Sequence, residues 1–425
     1  MNANNSGPNS LRAEIAAAHS GDTIAFAPSL NGQTITLTSG ELLINKNLTI
    51  SGPGESNLTI SGNNHSRVFE VAAGAQVALS GLTISNGFDV QGAGILNSGT
   101  LTVNDSVLSG NSANKVVKRS TLPNAGGGIE NNGTLTLGNC NLTGNSASLG
   151  GGIDNHGAAT INLSTLTGNS ATSAGGGINN QSALSVNNSA LSNNTAFNNG
   201  GGINSYGTGT VTVAVSGSNL TGNTAATGYG GGISSRGPLL TVSASTFTGN
   251  HAYEDGGGIS ATSAPNAKIV VSDSTLSGNS AYDGGGIQAS NAYGSTTITN
   301  CTLSDNSAKS GGGAISAGSA TMTVSGSTLS GSSALYGGAI EVFTGALTLD
   351  NSNLNNNMAT GEGGGIYNYG PGSHGTPTVT VKNFSSINGN TAPAGTGADI
   401  DNLGVIYVDS SSTIGIVNGN PVILI

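Results

Sequence analysis

Tryptophan is missing from this chain of 425 residues, aromatic residues make up 4% of it, and charged residues only 7%. Large rings supply much of the core of a compact globular enzyme, and this composition does not suit one. Low charge argues against a solvated disordered segment, which stays open through high net charge and low hydrophobicity. Ten Lys and Arg stand against twenty Asp and Glu, a formal net charge of −10, which offers nucleic acid no basic footprint. No run approaches the roughly 20 apolar residues that cross a bilayer. Cysteine occurs only twice. Glycine is what the chain has in excess, with 71 residues, and it lacks the every-third spacing of collagen.

The glycines belong to a repeat. Three glycines and an isoleucine recur at Gly126–Ile129, Gly150–Ile153, Gly175–Ile178, Gly200–Ile203, Gly230–Ile233, Gly256–Ile259 and Gly284–Ile287. Variants follow at Gly311–Ile315, Gly337–Ile340, Gly363–Ile366 and Gly397–Ile400, and one precedes at Gly92–Ile95. A second signature falls between them, as in Leu142-Thr143-Gly144-Asn145-Ser146-Ala147. An apolar–Thr–apolar triplet such as Leu135-Thr136-Leu137 comes before it. Each period therefore holds three short segments of two-residue alternation separated by Gly, Asn and Ser, which read as strands and turns. Three short strands per coil predict a parallel β-helix, stacked so that each coil buries its neighbour's inward side chains. The motif count implies about 14 coils. Right-handedness follows from the general preference for right-handed crossovers.

Stacking turns sequence columns into physical rows. A serine row runs Ser106, Cys140, Ser164, Ser189, Ser218, Ser245, Ser274, Cys301, Ser327, Ser352 and Ser385, and absorbs both cysteines as small inward filler. The two thiols fall six coils apart, far beyond disulfide reach. An asparagine row runs Asn111, Asn145, Asn169, Asn194, Asn223, Asn250, Asn279 and Asn306, then Ser332, Asn357 and Asn390. Amides stacked at successive tight turns predict a hydrogen-bonded ladder.

The ends read as caps. Asn9–Ser20 places Leu11, Ile15 and Ala18 on one helical face, a short helix that shields the first strand edge. The expected division is residues 1–22 as arm and helix, 23–403 as β-helix, and 404–425 as a terminal coil. The apolar ending Pro421–Ile425 suits packing on the last coil or docking on a second molecule.

The glycine–isoleucine and Leu-x-x-Asn motifs resemble the GGAI and FxxN repeats of the polymorphic outer membrane protein family. Gly337-Gly338-Ala339-Ile340 and Phe247-Thr248-Gly249-Asn250 match those forms literally. Ser10–Ile15 with Gly21–Ile24 is similar to the CSLREAI-type region that opens many secreted bacterial β-helices, with Asn9 in place of its cysteine and the Glu–Ala order inverted. The resemblance implies a bacterial protein that is extracellular or displayed on the cell surface, often an adhesin. Neither a leader before Asn2 nor the family's C-terminal membrane barrel is evident, so the resemblance does not extend to autotransport, and numbering from the mature chain with an added Met is expected.

Parallel β-helices also host enzymes that cleave polysaccharides, so the carboxylates need placing. One concentration precedes the glycine triplets on consecutive coils: Tyr229, then His251, Tyr253, Glu254 and Asp255, then Tyr282 and Asp283. Tyr336 and Glu362 hold the same turn further on, and Arg236 and Lys309 are the nearby cations. Asp255 and Asp283 should stack about 5 Å apart. That spacing suits a glycosidase pair or a Ca2+ site built from carboxylate oxygens, and tyrosines beside acids suit saccharide. Glu130 and Asp154 form a second pair, continued by Asn179 and Asn204. Decoration of an exposed turn by acidic and aromatic side chains is the first account of these residues, ahead of binding and catalysis.

A threonine row (Thr102, Thr136, Thr160, Thr241, Thr297, Thr323, Thr348), broken by Ser185, Ala214 and Val270, is the ordinary outer face of a strand or an ice-binding array. The insertion Asn114–Asn124, with Lys115, Lys118 and Arg119, reads as a solvated loop. The leading expectation is an extracellular structural or adhesive solenoid that binds surface glycans or proteins, or associates with itself end to end or laterally into filaments. A polysaccharide lyase or glycoside hydrolase using Asp255 and Asp283 is the rival, and an ice-binding protein the third reading.

Overall fold

The computed structural model describes residues 1–116, 123–207, 211–262, 267–290, 294–372 and 375–425. Lys118 and Arg119 of the basic insertion lie outside the described residues, while Lys115 pairs with Asp89 at 3.6 Å. The chain is an all-β, right-handed parallel solenoid of about 14 turns with a single α-helix among the described residues. It divides into two compact units, residues 1–197 with 201–204, and residues 198–200 with 205–425.

In the first unit the helix spans Leu11–Ala17 and buries Leu11 and Ile15. Ser10 caps it by accepting from the Ala13 N–H, and extended backbone at Ala18 ends it. Lys46 Nζ then donates to the carbonyls of Ile15, Ala16 and Ala18, satisfying orphan acceptors at the C-terminus. Each coil that follows contributes a five-residue strand such as Thr134–Gly138, a three-residue strand such as Asn141–Thr143, and a strand opened by the isoleucine, such as Ile153–Asn155. Neighbouring coils pair in register, Leu108 with Leu142 and Leu142 with Leu166, and Ile129 with Ile153 and Ile153 with Ile178. The threonine row pairs as read, Thr102 with Thr136, Thr136 with Thr160 and Thr160 with Ser185.

A fourth row of short strands, Ser112–Ala113, Ser146–Leu149, Ser170–Ala174 and Thr195–Ala196, joins the three expected ones. Its alanines are buried, and Ala113 and Ala147 form a core cluster with Ala93.

The second unit repeats this plan. Ile233, Ile259, Ile287, Ile315, Ile340, Ile366 and Ile400 pair in one continuous row. Its last strands, Val405–Val408 and Val422–Leu424, still pair in parallel although the glycine motif has gone.

The corners between strands are left-handed, which explains why the separators are Gly, Asn and Asp. Gly150 has φ +60°, whereas its neighbour Gly151 is required by crowding: a Cβ there would stand 2.5 Å from the Ser170 carbonyl oxygen and 2.6 Å from that of Gly176. Among the described residues three corners are held by side chains that dislike this conformation, Leu163 at φ 50°, Ala244 at φ 47° and Phe384 at φ 64°.

Amide and hydroxyl ladders tie the coils together inside. Asn111 Nδ2 donates to Asn145 Oδ1, Asn145 to Asn169, and Asn169 to Asn194, each at 3.0 Å. In the second unit Asn250 donates to Asn279 at 2.9 Å and Asn279 to Asn306 at 3.0 Å. In the serine row the Cys140 N–H donates to Ser164 Oγ and the Cys301 N–H to Ser327 Oγ, both at 3.0 Å. Both thiols are free and buried, and burial pushes that of Cys140 up to about 11.

Candidate functional site

The middle residue of each isoleucine-led strand defines the site. Two-residue alternation turns this side chain away from the core, yet it is buried on coil after coil. In the second unit the column runs Ser234, Ser260, Gln288, Ser316, Glu341, Tyr367 and Asp401. Beside it runs the row that precedes the glycine triplets, linked by backbone hydrogen bonds: Gly230 N–H donates to the Asp255 carbonyl, Gly256 to Asp283, Gly312 to Tyr336 and Gly337 to Glu362. Together the two rows make a polar strip, termed the trough below, in which the first row is covered while Asp255, Asp283, Tyr336 and Glu362 of the second are half-buried.

Asp255 and Asp283 pair directly through a parallel bridge, one coil apart. Burial first, then the charge of Asp283, pushes the Asp255 carboxyl up to about 6. Glu341 is 5% exposed and rises to about 7, through burial and then the charge of Asp283. It accepts from Ser316 Oγ at 3.0 Å and shares a hydrogen bond with Tyr369. The rings of Tyr336, Tyr367 and Tyr369 form a chain, with centroids 5.1 Å apart for the first pair and 4.7 Å for the edge-on second. Buried oxygens without a hydrogen-bond partner gather in this column at Ser260 Oγ, Gln288 Oε1 and Asp401 Oδ1.

The expected cluster therefore divides. Asp255 and Asp283 face the trough with Tyr336 and Glu362 in their row. His251 is exposed and bonds Ser280 Oγ through Nδ1 at 2.9 Å. Tyr253 and Tyr282 stand about half exposed on the outer edge, where Lys309 lies over the Tyr253 ring at 5.8 Å. Glu254 is half-buried, its carbonyl accepting from Tyr282 N–H. Tyr229 is half-buried under the Arg236 guanidinium, 5.7 Å from its ring centroid.

In the first unit the same column runs Glu70, Leu96, Glu130, Asp154 and Asn179. Glu70 is neutralised by Arg67, which also pairs with Glu41. Glu130 and Asp154, both buried, share His156 instead: its Nε2 lies 3.4 Å from Glu130 Oε1 and 3.2 Å from Asp154 Oδ2. Asn179 donates to Asp154 Oδ1 at 2.6 Å, and Asn204 donates to Asn179 at 2.7 Å. Burial and the neighbouring Asp154 hold the Glu130 carboxyl well above the ordinary carboxylate range, and the hydrogen bond to Asp154 raises His156.

Glu341 and Tyr367 escape a reading of motifs because the position after the isoleucine varies in chemistry, and Tyr369 and His156 because they stand two residues beyond that position. A second amide ladder escaped it too, Asn97 to Asn131 to Asn155 to Asn180, each step 2.7 Å. The recurring Ile-x-Asn triplet is the signal that could have found it.

Comparison with known proteins adds two findings. The Chlamydia polymorphic membrane protein (Chlamydia_PMP) repeat matches residues 244–262 and 300–318. Among solved structures, the A-module of a mannuronan C-5 epimerase from Azotobacter vinelandii is similar at 12% identity, over 96% of this chain and 94% of that one, with a TM-score of 0.26 that carries no functional argument. No curated relative matches the chain.

Proposed function

We propose that this chain is an adhesive solenoid of a bacterial surface, and that the trough of its second unit holds a saccharide. The observation that carries the reading is the shared column of carboxylate, hydroxyl and tyrosine at Ser316, Glu341, Tyr367 and Asp401, sunk beside Asp255 and Asp283. The half-buried rings of Tyr336 and Tyr369 supply apolar contact for pyranose rings, and the half-buried carboxylates of Asp255, Asp283 and Glu362 accept from sugar hydroxyls. The carboxylates also select, since ionised acids repel uronate polymers and favour neutral or amino-sugar chains. The match to a surface-protein repeat supports the location.

Glycan-array binding by the full chain tests this. Neutral or amino-sugar oligosaccharides should bind, and Tyr367→Ala and Asp283→Asn should each weaken binding at least tenfold. Absence of binding across the array, or variants that bind like the parent, overturns the reading.

Hydrolysis is a second reading, favoured by Glu341. A carboxyl held near 7 by burial and by the neighbouring Asp283 has the character of a general acid. Release of reducing ends from a bound glycan, abolished by Glu341→Gln, would establish it. Intact glycan after prolonged incubation would exclude it.

A further inference from the structure

We propose that Glu130, Asp154 and His156 form a binding site for a divalent transition metal of the zinc class, independent of the saccharide reading. The three donor atoms lie within 4.8 Å of one another. Ligands held about 2.0–2.2 Å from one zinc ion stand roughly 3.0–3.5 Å apart, and His156 Nε2 meets Glu130 Oε1 at 3.4 Å and Asp154 Oδ2 at 3.2 Å.

The second observation is Glu130 itself. Its side chain is 1% exposed at the cluster and its Oε2 finds no donor, the carboxyl's neighbours being His156 and a second acid, Asp154. A buried carboxylate ordinarily accepts bonds at both oxygens or meets a fixed cation. Two coils away in the same column, Glu70 has Arg67 for this purpose. Glu130 and Asp154 are adjacent in parallel register and, among the described residues, have only His156 as an ion-pair partner.

The donor set selects the class of metal. One imidazole nitrogen with two carboxylates matches zinc and its neighbours, whereas Ca2+ prefers six to eight oxygens. The Asn179 amide on Asp154 Oδ1 leaves Oδ2 directed at the site, the kind of support that orients metal-binding carboxylates. His156 is 35% exposed at its side chain and gives the ion a way in.

The test is titration of the chelator-stripped full chain with Zn2+ by calorimetry, and with Co2+ by visible absorption. One ion should bind per chain, with Ca2+ in tenfold excess failing to displace it. His156→Ala, at a partly exposed position that the fold tolerates, should weaken binding at least tenfold, and the near-isosteric Glu130→Gln should do the same. His65→Ala should leave it unchanged. Failure to saturate, survival of the Co2+ bands in His156→Ala, or displacement by Ca2+ overturns the proposal; a cluster that is only an imidazolium bridge between two acids gives the first of these results.

Discussion

The side chain of Glu341 lies directly against Gly311, so that a Cβ at position 311 would collide with its carboxylate. Gly311 sits between Asp283 and Tyr336 in the row that walls the trough. Its φ is outside the left-handed region, so glycine is there to make room and not to make a turn.

Gly311→Ala should accordingly push Glu341 out of the trough. Overpacking of this kind costs about 1–3 kcal/mol, measurable as a shift in the urea midpoint. Saccharide binding should fall with it, at least tenfold in the same glycan assay.

The raised carboxyls make the second unit sensitive to pH. Asp255 moves from 3.8 to about 6 and Glu341 from 4.5 to about 7. Both hold a proton in the folded chain that the unfolded chain has released, so stability is full below about pH 4 and declines as pH rises through 6 and 7. Denaturation at pH 4.5, 6 and 7.5 should show the parent losing stability relative to Asp255→Asn/Glu341→Gln across that window. Equal slopes for the two proteins would contradict the assignment.

Asn250 is a central rung of the amide ladder. Its Oδ1 accepts from both nitrogens of Asn223 at 3.0 Å, and its Nδ2 donates to the Leu220 carbonyl at 2.8 Å and to Asn279 at 2.9 Å. Asn250→Ala orphans several buried groups, each worth about 1–3 kcal/mol, and should be among the most destabilising single changes. Asn250→Ser should cost less. Serine already serves at position 332, where its Oγ accepts from the Asn306 N–H at 3.3 Å.

Leu163 offers the opposite effect. It adopts φ 50° at a corner where Asn139 and Asn188 stand on adjacent coils, and its side chain is exposed. Left-handed backbone costs a branched residue roughly 1–2 kcal/mol, and asparagine tolerates it. Leu163→Asn should raise the thermal midpoint with no loss of structure.

The fold was legible because the coil imposes itself on every column. The isoleucine, leucine, serine and asparagine rows all repeat, and each repeat is a demand for stacking. The fourth strand row was not, since two residues such as Ser280 and Ala281 are too short to show an alternation. The site was legible in part: Asp255 and Asp283 announced themselves by position before the glycine triplet, and Glu130 and Asp154 by following the isoleucine. What stayed hidden was burial. Alternation assigns Glu341 and Tyr367 to solvent, and only the neighbouring row of Asp283, Gly311 and Tyr336 encloses them. No column pattern could bring in His156, which reaches the Glu130–Asp154 pair, or Tyr369, which reaches Glu341, each from two residues further along the chain than the column.

In-register pairing also bears on how such a chain can change over generations. Because Ile129, Ile153 and Ile178 are interchangeable rungs, a recombination that deletes residues 154–178 would rejoin the strand without disturbing a corner. Asn179 would then sit next to Glu130, and both Asp154 and His156 would be gone. A shortened protein of that kind should fold normally yet take up no zinc, so loss of a single repeat can erase an activity while every remaining coil stays intact.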